Sequence, residues 1–192
     1  MRKCAFTCLL ITVTILPTTS LAIKFDIWET GMSINEVVSL AFKNDIPIAR
    51  EGIIHGRKKF DPKLIDDQFY KASSLYYGTN ISGNQSTVYL RLTNDSKFVR
   101  EIEVRLFGVR NREDFKQEMI KVLSQKYGPH QEVREFAFKA HRWKPDPTSQ
   151  VLMRDSAAEV VILYTDLKIK EAKEEERRQK DIGKIRKDEK KF

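Results

Sequence analysis

Apolar and polar residues alternate with a period of two through Thr87-Val88-Tyr89-Leu90-Arg91-Leu92-Thr93, the apolar set on even positions. The run from Phe98 to Phe107 repeats this, with Ile102, Val104 and Leu106 even and Glu101, Glu103 and Arg105 odd. A period of two predicts half-buried strands. Asn94-Asp95-Ser96 between them predicts a tight loop that pairs Thr93 with Lys97 and keeps both even faces together. The period then changes. Phe115, Met119, Val122, Leu123 and Tyr127 make one stripe at helical spacing, opened by Asn111 as a cap and closed by Gly128 and Pro129. Upstream, Ser33-Ile34-Asn35-Glu36 is a capping box. Ile34, Val37, Val38, Ala41 and Phe42 follow it as a second stripe, and that helix is expected to end near Asn44. Hairpin and helices each carry one apolar face, and packing helices on an antiparallel sheet satisfies both.

The other segments fit around this frame. Residues 23–28 read as an edge strand or a loose leader, and Asp61-Pro62 starts a short helix reaching about Phe69. Tyr70 to Asn80 reads as an aromatic-rich strand, turned by Ser82-Gly83-Asn84 into the hairpin to complete a meander. Val133 to Trp143 reads as one strand, with Phe136, Phe138 and Ala140 on one face and His141 and Trp143 on the other. Shorter strands follow at Gln150–Arg154 and Ala158–Thr165, after a Pro145-Asp146-Pro147 loop. The order of helix, aromatic strand and two hairpin strands thus occurs twice, over 33–107 and 111–167. The expected fold is α+β: helices on an antiparallel meander sheet, with a tandem helix-plus-three-strand pseudo-repeat spanning 23–169.

The two ends differ in character from this body. Arg2 and Lys3 precede an apolar stretch from Ala5 to Leu16, and Ser20-Leu21-Ala22 supplies the small residues of a cleavage site. About 12 apolar residues are too few for the roughly 20 that span a bilayer. A cleaved signal peptide over residues 1–22 is therefore expected, with no membrane span in the rest. The only two cysteines, Cys4 and Cys8, lie in that leader, so no disulfide is expected afterwards, and a bacterial periplasm fits better than a disulfide-rich secreted setting. At the other end, residues 170–192 carry ten basic and seven acidic side chains. Such a segment reads as a coiled-coil-like charged helix without an a/d seam, running into a disordered end and touching a membrane surface only weakly.

The net charge of +8 changes meaning once it is located. Leader and tail account for most of it, and the body is nearly balanced, which argues against nucleic acid as a partner. The three histidines, His55, His130 and His141, have no His or Cys neighbour at metal-ligand spacing, and there is no Gly-rich phosphate loop or nucleophile elbow. No metal, cofactor or catalytic residue is expected from motifs, although a composite site assembled in space stays open. Asp61, Asp66 and Asp67 read as helix caps and solvated acids. The large amphipathic rings are the better clue, because aromatics facing solvent together mark a binding patch. Tyr76, Tyr77, His141 and Trp143 are the candidate binding residues.

Gly31-Met32-Ser33-Ile34-Asn35-Glu36-Val37 resembles the helix start of the small lipoprotein of the outer-membrane β-barrel assembly machine. The doubled helix-then-strands order resembles β-lactamase-inhibitor-protein-like chains. Both resemblances imply helices on antiparallel sheet and a role in the cell envelope. The functional expectation is an exported, non-catalytic binding or scaffolding protein whose partner is another envelope protein. The alternative is a periplasmic hydrolase or a protein inhibitor of one. A concave sheet holding converging acids with His55 or His141 would favour the enzyme.

Overall fold

The computed structural model describes residues 22–52, 59–135, 138–156, 158–172, 175 and 178. Residues 1–21 of the expected signal segment, His55, Phe136 and most of the charged tail lie outside the described residues. A small hairpin, β1 (Lys24–Phe25) and β2 (Trp28–Glu29), leads into helix α1 (Ile34–Lys43). Strand β3 (Ala49–Arg50), a 3-10 turn at Pro62–Leu64 and the short helix α2 (Asp67–Lys71) precede the meander β4 (Ser74–Ile81), β5 (Asn84–Leu92) and β6 (Val99–Phe107). Helix α3 (Arg112–Tyr127) then opens a second run, β7 (Gln131–Glu135), β8 (Phe138–Asp146), β9 (Ser149–Asp155) and β10 (Glu159–Asp166). The fold is α+β, as the two periods predict.

All eight strands from β3 onward form one antiparallel sheet in the order β3-β4-β5-β6-β10-β9-β8-β7. The two runs therefore meet at β6 and β10, with Val104 opposite Ile162. Counted outward from that pair, β6 corresponds to β10, β5 to β9 and β4 to β8. The same count brings the two hairpin turns, Ser82-Gly83 and Pro147-Thr148, into correspondence. In that correspondence Tyr77, opposite Val88, takes the place of His141, opposite Met153.

The even positions of β5 and β6 do share one face: Val88 pairs with Val104 and Leu90 with Ile102, all buried. The register lies two residues beyond the expected one. Thr93 N–H bonds Phe98 O at 2.8 Å around a turn in which Lys97 adopts φ 54°, and a bulge falls between Arg91 and Leu92. A shift of two preserves side-chain parity, so the apolar face survives the difference. Trp28, Val37, Ala41, Leu75, Tyr77, Trp143, Val151, Met153, Val160 and Ile162 complete the core between this face and the helices.

Several local expectations are corrected by the packing. The helix expected from Asp61 divides into the 3-10 turn, capped by Asp61, and α2, capped by Asp66, so Tyr70 is helical and the strand starts at Ser74. Ser82 and Gly83, at φ 50° and 79°, form a two-residue turn, and Asn84 already belongs to β5. In α3 the side facing the sheet is Phe115, Met119, Ile120, Leu123 and Tyr127, and Val122 is 44% exposed. Val122 sits about 100° round the helix from Leu123, the buried centre of that side, and so falls on its flank. Phe42, 66% exposed, likewise leaves the first stripe and meets the edge of Phe60. Asn111 makes no capping bond with its side chain, and adopts a left-handed conformation instead. The expected strand from Val133 to Trp143 is two strands, β7 and β8, folded against each other.

Candidate functional site

That last correction builds the site. Once β7 turns back on β8, Glu132 lies directly opposite His141 and both point to the helix-covered face. Residues two apart on an extended chain share a face, so His130, just ahead of β7, joins them. The ligand-bearing atoms of His130, Glu132 and His141 all lie within 4.8 Å of one another. The imidazoles meet edge to face, with ring centroids 4.9 Å apart.

Helix α3 roofs this cluster without filling it. Its C-terminal half is anchored by Leu123, Met119, Ile120 and Tyr127, and one turn earlier the same face presents Lys116. Lys116 and Gln117 line a cleft of about 540 Å³ together with Glu132, Arg134, Lys139, His141 and Asp155. The helix start is pinned by Arg112, whose guanidinium bonds Asp155 Oδ1 at 2.6 Å and the carbonyls of Ser156 and Glu159. Lys116 Nζ is held by Glu113 at 2.5 Å. Two of the cleft's charges are thus already paired.

The wall behind the imidazoles is Trp143. It is fully buried, 5.5 Å from the ring of His130, and donates its indole N–H to Ser124 Oγ at 3.1 Å. Ser124 Oγ lies 3.5 Å from His130 Nδ1, so the hydroxyl ties the ring to the helix. His141 Nδ1 is buried and has no hydrogen-bond partner. Burial first, then the neighbouring His130, pushes the His141 imidazole below its usual pKa, with Lys116 adding to this and Glu132 and Glu113 opposing it. That favours the neutral ring, the form that accepts a proton or a metal ion.

Of the four candidate residues, the structure places only His141 in this cleft. Trp143 stands behind it in the core and Tyr77 is buried at 5% exposure, so neither contributes to an exposed aromatic patch. The two share a face but are separated by four intervening strands, about 24 Å at ordinary strand spacing. Tyr76 lies on the opposite face, where it stacks on Tyr89 at 5.7 Å between ring centroids. There Arg91 and Arg105 stand 4.9 and 5.1 Å from the Tyr89 ring, and both reach Glu103. The alternation His130-x-Glu132 after Pro129 was the available signal for the missed residues, but it means little until the chain reverses before His141.

Comparisons with protein-family models, with curated proteins and with solved structures found no match. Among the described residues, no helix is long and apolar enough to cross a membrane.

Proposed function

We propose that the chain is an exported binding protein of the cell envelope, and that it engages another envelope protein through the cleft beneath α3. The supporting observation is the buried, partnerless Nδ1 of His141 in a site where Lys116 and Asp155 are already held by Glu113 and Arg112. A buried polar atom without a partner costs about 1–3 kcal/mol, and such costs are tolerated where a ligand later satisfies the group. The side chains concerned stand on strands and a pinned helix, so binding needs little reorganisation. Export follows from the leader sequence, and the helix start resembling the assembly-machine lipoprotein agrees with an envelope setting.

A photo-cross-linker at Gln117, in the cleft, and one at Phe42, far from it, test this in intact cells. The reading requires cross-linked species from Gln117 that disappear with His141→Ala. Equal labelling from both positions, or none from Gln117, overturns it.

One observation favours the hydrolytic alternative: Glu132 and His141 converge under one wall, the pairing from which general acid–base catalysis is built. Turnover of an ester or peptide substrate by the purified protein, abolished by Glu132→Gln, would establish that reading.

A further inference from the structure

We infer that His130, Glu132 and His141 form a binding site for a divalent transition-metal ion of the zinc class, with a fourth coordination position open to the cleft. The inference deepens the cleft reading and rests on it for the link between metal and partner.

Two imidazoles and one carboxylate are the donors that zinc, nickel and copper favour, whereas magnesium and calcium take all-oxygen sets. Zinc–nitrogen and zinc–oxygen bonds of about 2.1 Å in a tetrahedron place ligand atoms about 3.4 Å apart. The three side chains here, within 4.8 Å of one another, need only small torsional adjustments to close on an ion. The backbone already supplies the placement, because Glu132 and His141 are cross-strand partners and such pairs hold their Cβ atoms about 5 Å apart.

The surroundings have the features of a metal's outer shell. Ser124 Oγ next to His130 Nδ1 is the kind of partner that fixes a ligating ring and its tautomer. With Ser124 accepting from Nδ1–H, the other ring nitrogen is free to ligate. Trp143 gives an apolar backing that excludes water on one side. Asp155 lines the same cleft but is engaged by Arg112, so the described residues offer three ligands and not four. Three protein ligands with one open position is the coordination that lets a metal bind something further, such as water or a partner's side chain. The Lys116 ammonium, which would repel a cation, is tied to Glu113.

The correspondence between the two runs argues the same way. The position matching His141 is Tyr77, which is sealed by Trp28 and belongs to the core. A core position in one half is a ring nitrogen facing a cleft in the other. Packing alone does not call for that exchange.

Calorimetric titration of Zn²⁺ into the chelator-stripped protein, with Co²⁺ absorption as a second readout, tests the site. One equivalent should bind. Glu132→Gln, at an exposed position, and His141→Ala should each weaken affinity at least about a hundredfold, and Ser124→Ala about tenfold. Absence of saturable binding, or binding unchanged in Glu132→Gln and His141→Ala, overturns the inference. Gln117 cross-linking on the same variants separates the two ideas. Cleft-dependent cross-links without zinc binding sink the metal and leave the cleft. Stoichiometric zinc with no cleft-dependent cross-link sinks the cleft reading alone.

Discussion

Trp28 donates its indole N–H to the Tyr77 hydroxyl at 2.9 Å, across 49 residues of sequence, and both rings are buried. The bond fastens the N-terminal hairpin to β4. Replacing Tyr77 by Phe removes the acceptor and strands the indole donor, which should cost about 1–3 kcal/mol in urea-denaturation stability.

The same tyrosine sets an alkaline limit. Burial raises its pKa from 10.0 to about 12, with the bond from Trp28 opposing. An acid whose folded pKa is raised is favoured in its neutral form, so its stabilising share is complete below pH 10. That share is lost as pH climbs toward 12. Tyr164, buried against Tyr127, shifts in the same direction. Denaturation midpoints should fall between pH 10 and 12, and fall less in Tyr77→Phe; an unchanged profile would contradict this origin.

Glu103 is the acid counterpart. It is 4% exposed, and burial alone would raise its pKa, but hydrogen bonds from Arg91 and Arg105 at 2.8 and 2.6 Å hold it lower. A lowered carboxyl contributes fully above its ordinary value of 4.5 and less as pH drops beneath it. Glu103→Gln should cost about 1–3 kcal/mol at pH 7, since both arginines retain access to water. The gap to wild type should narrow below about pH 4, measured by urea titration.

Helix ends make a third comparison. Ser33 accepts from the Glu36 N–H at 3.3 Å while Glu36 accepts from the Ser33 N–H at 2.7 Å. Ser33→Ala should therefore cost about 1 kcal/mol. Asn111 makes no side-chain cap and sits at φ 46°, so Asn111→Gly should stay within about 0.5 kcal/mol of wild type.

The helix-facing stripe of α3 gives a fourth. Leu123→Ala should lose about 2–5 kcal/mol, while Val122→Lys should be silent within about 0.5 kcal/mol. Thermal unfolding of the pair decides which residue faces the sheet.

The hairpin of β5 and β6 and the start of α1 are legible in the sequence because each obeys one strong local rule. Alternation survives a register error of two, and a capping box is read from four residues. The turn between β7 and β8 is not legible. Val133 to Trp143 holds no Gly, Pro, Asn or Asp, and Phe136, Phe138 and Ala140 keep a strand-like apolar alternation through its middle. The candidate site goes with it: His141 can be singled out alone, but its neighbours His130 and Glu132 emerge only through a pairing that reverses the chain. Tyr77 and Trp143 look like surface aromatics because composition does not say which side of a strand is covered.

The seam at β6 and β10 has a kinetic consequence. Every other pairing in the large sheet joins strands that neighbour each other in sequence order, whereas Val104 and Ile162 are far apart along the chain. Closing so long a loop is paid for before its contacts reward it, so the two meanders should form first and join last. Until they join, each ends in an unpaired edge carrying Ile102, Val104 and Leu106 or Val160, Val161 and Ile162. Those edges are the places where two unfinished chains would find each other.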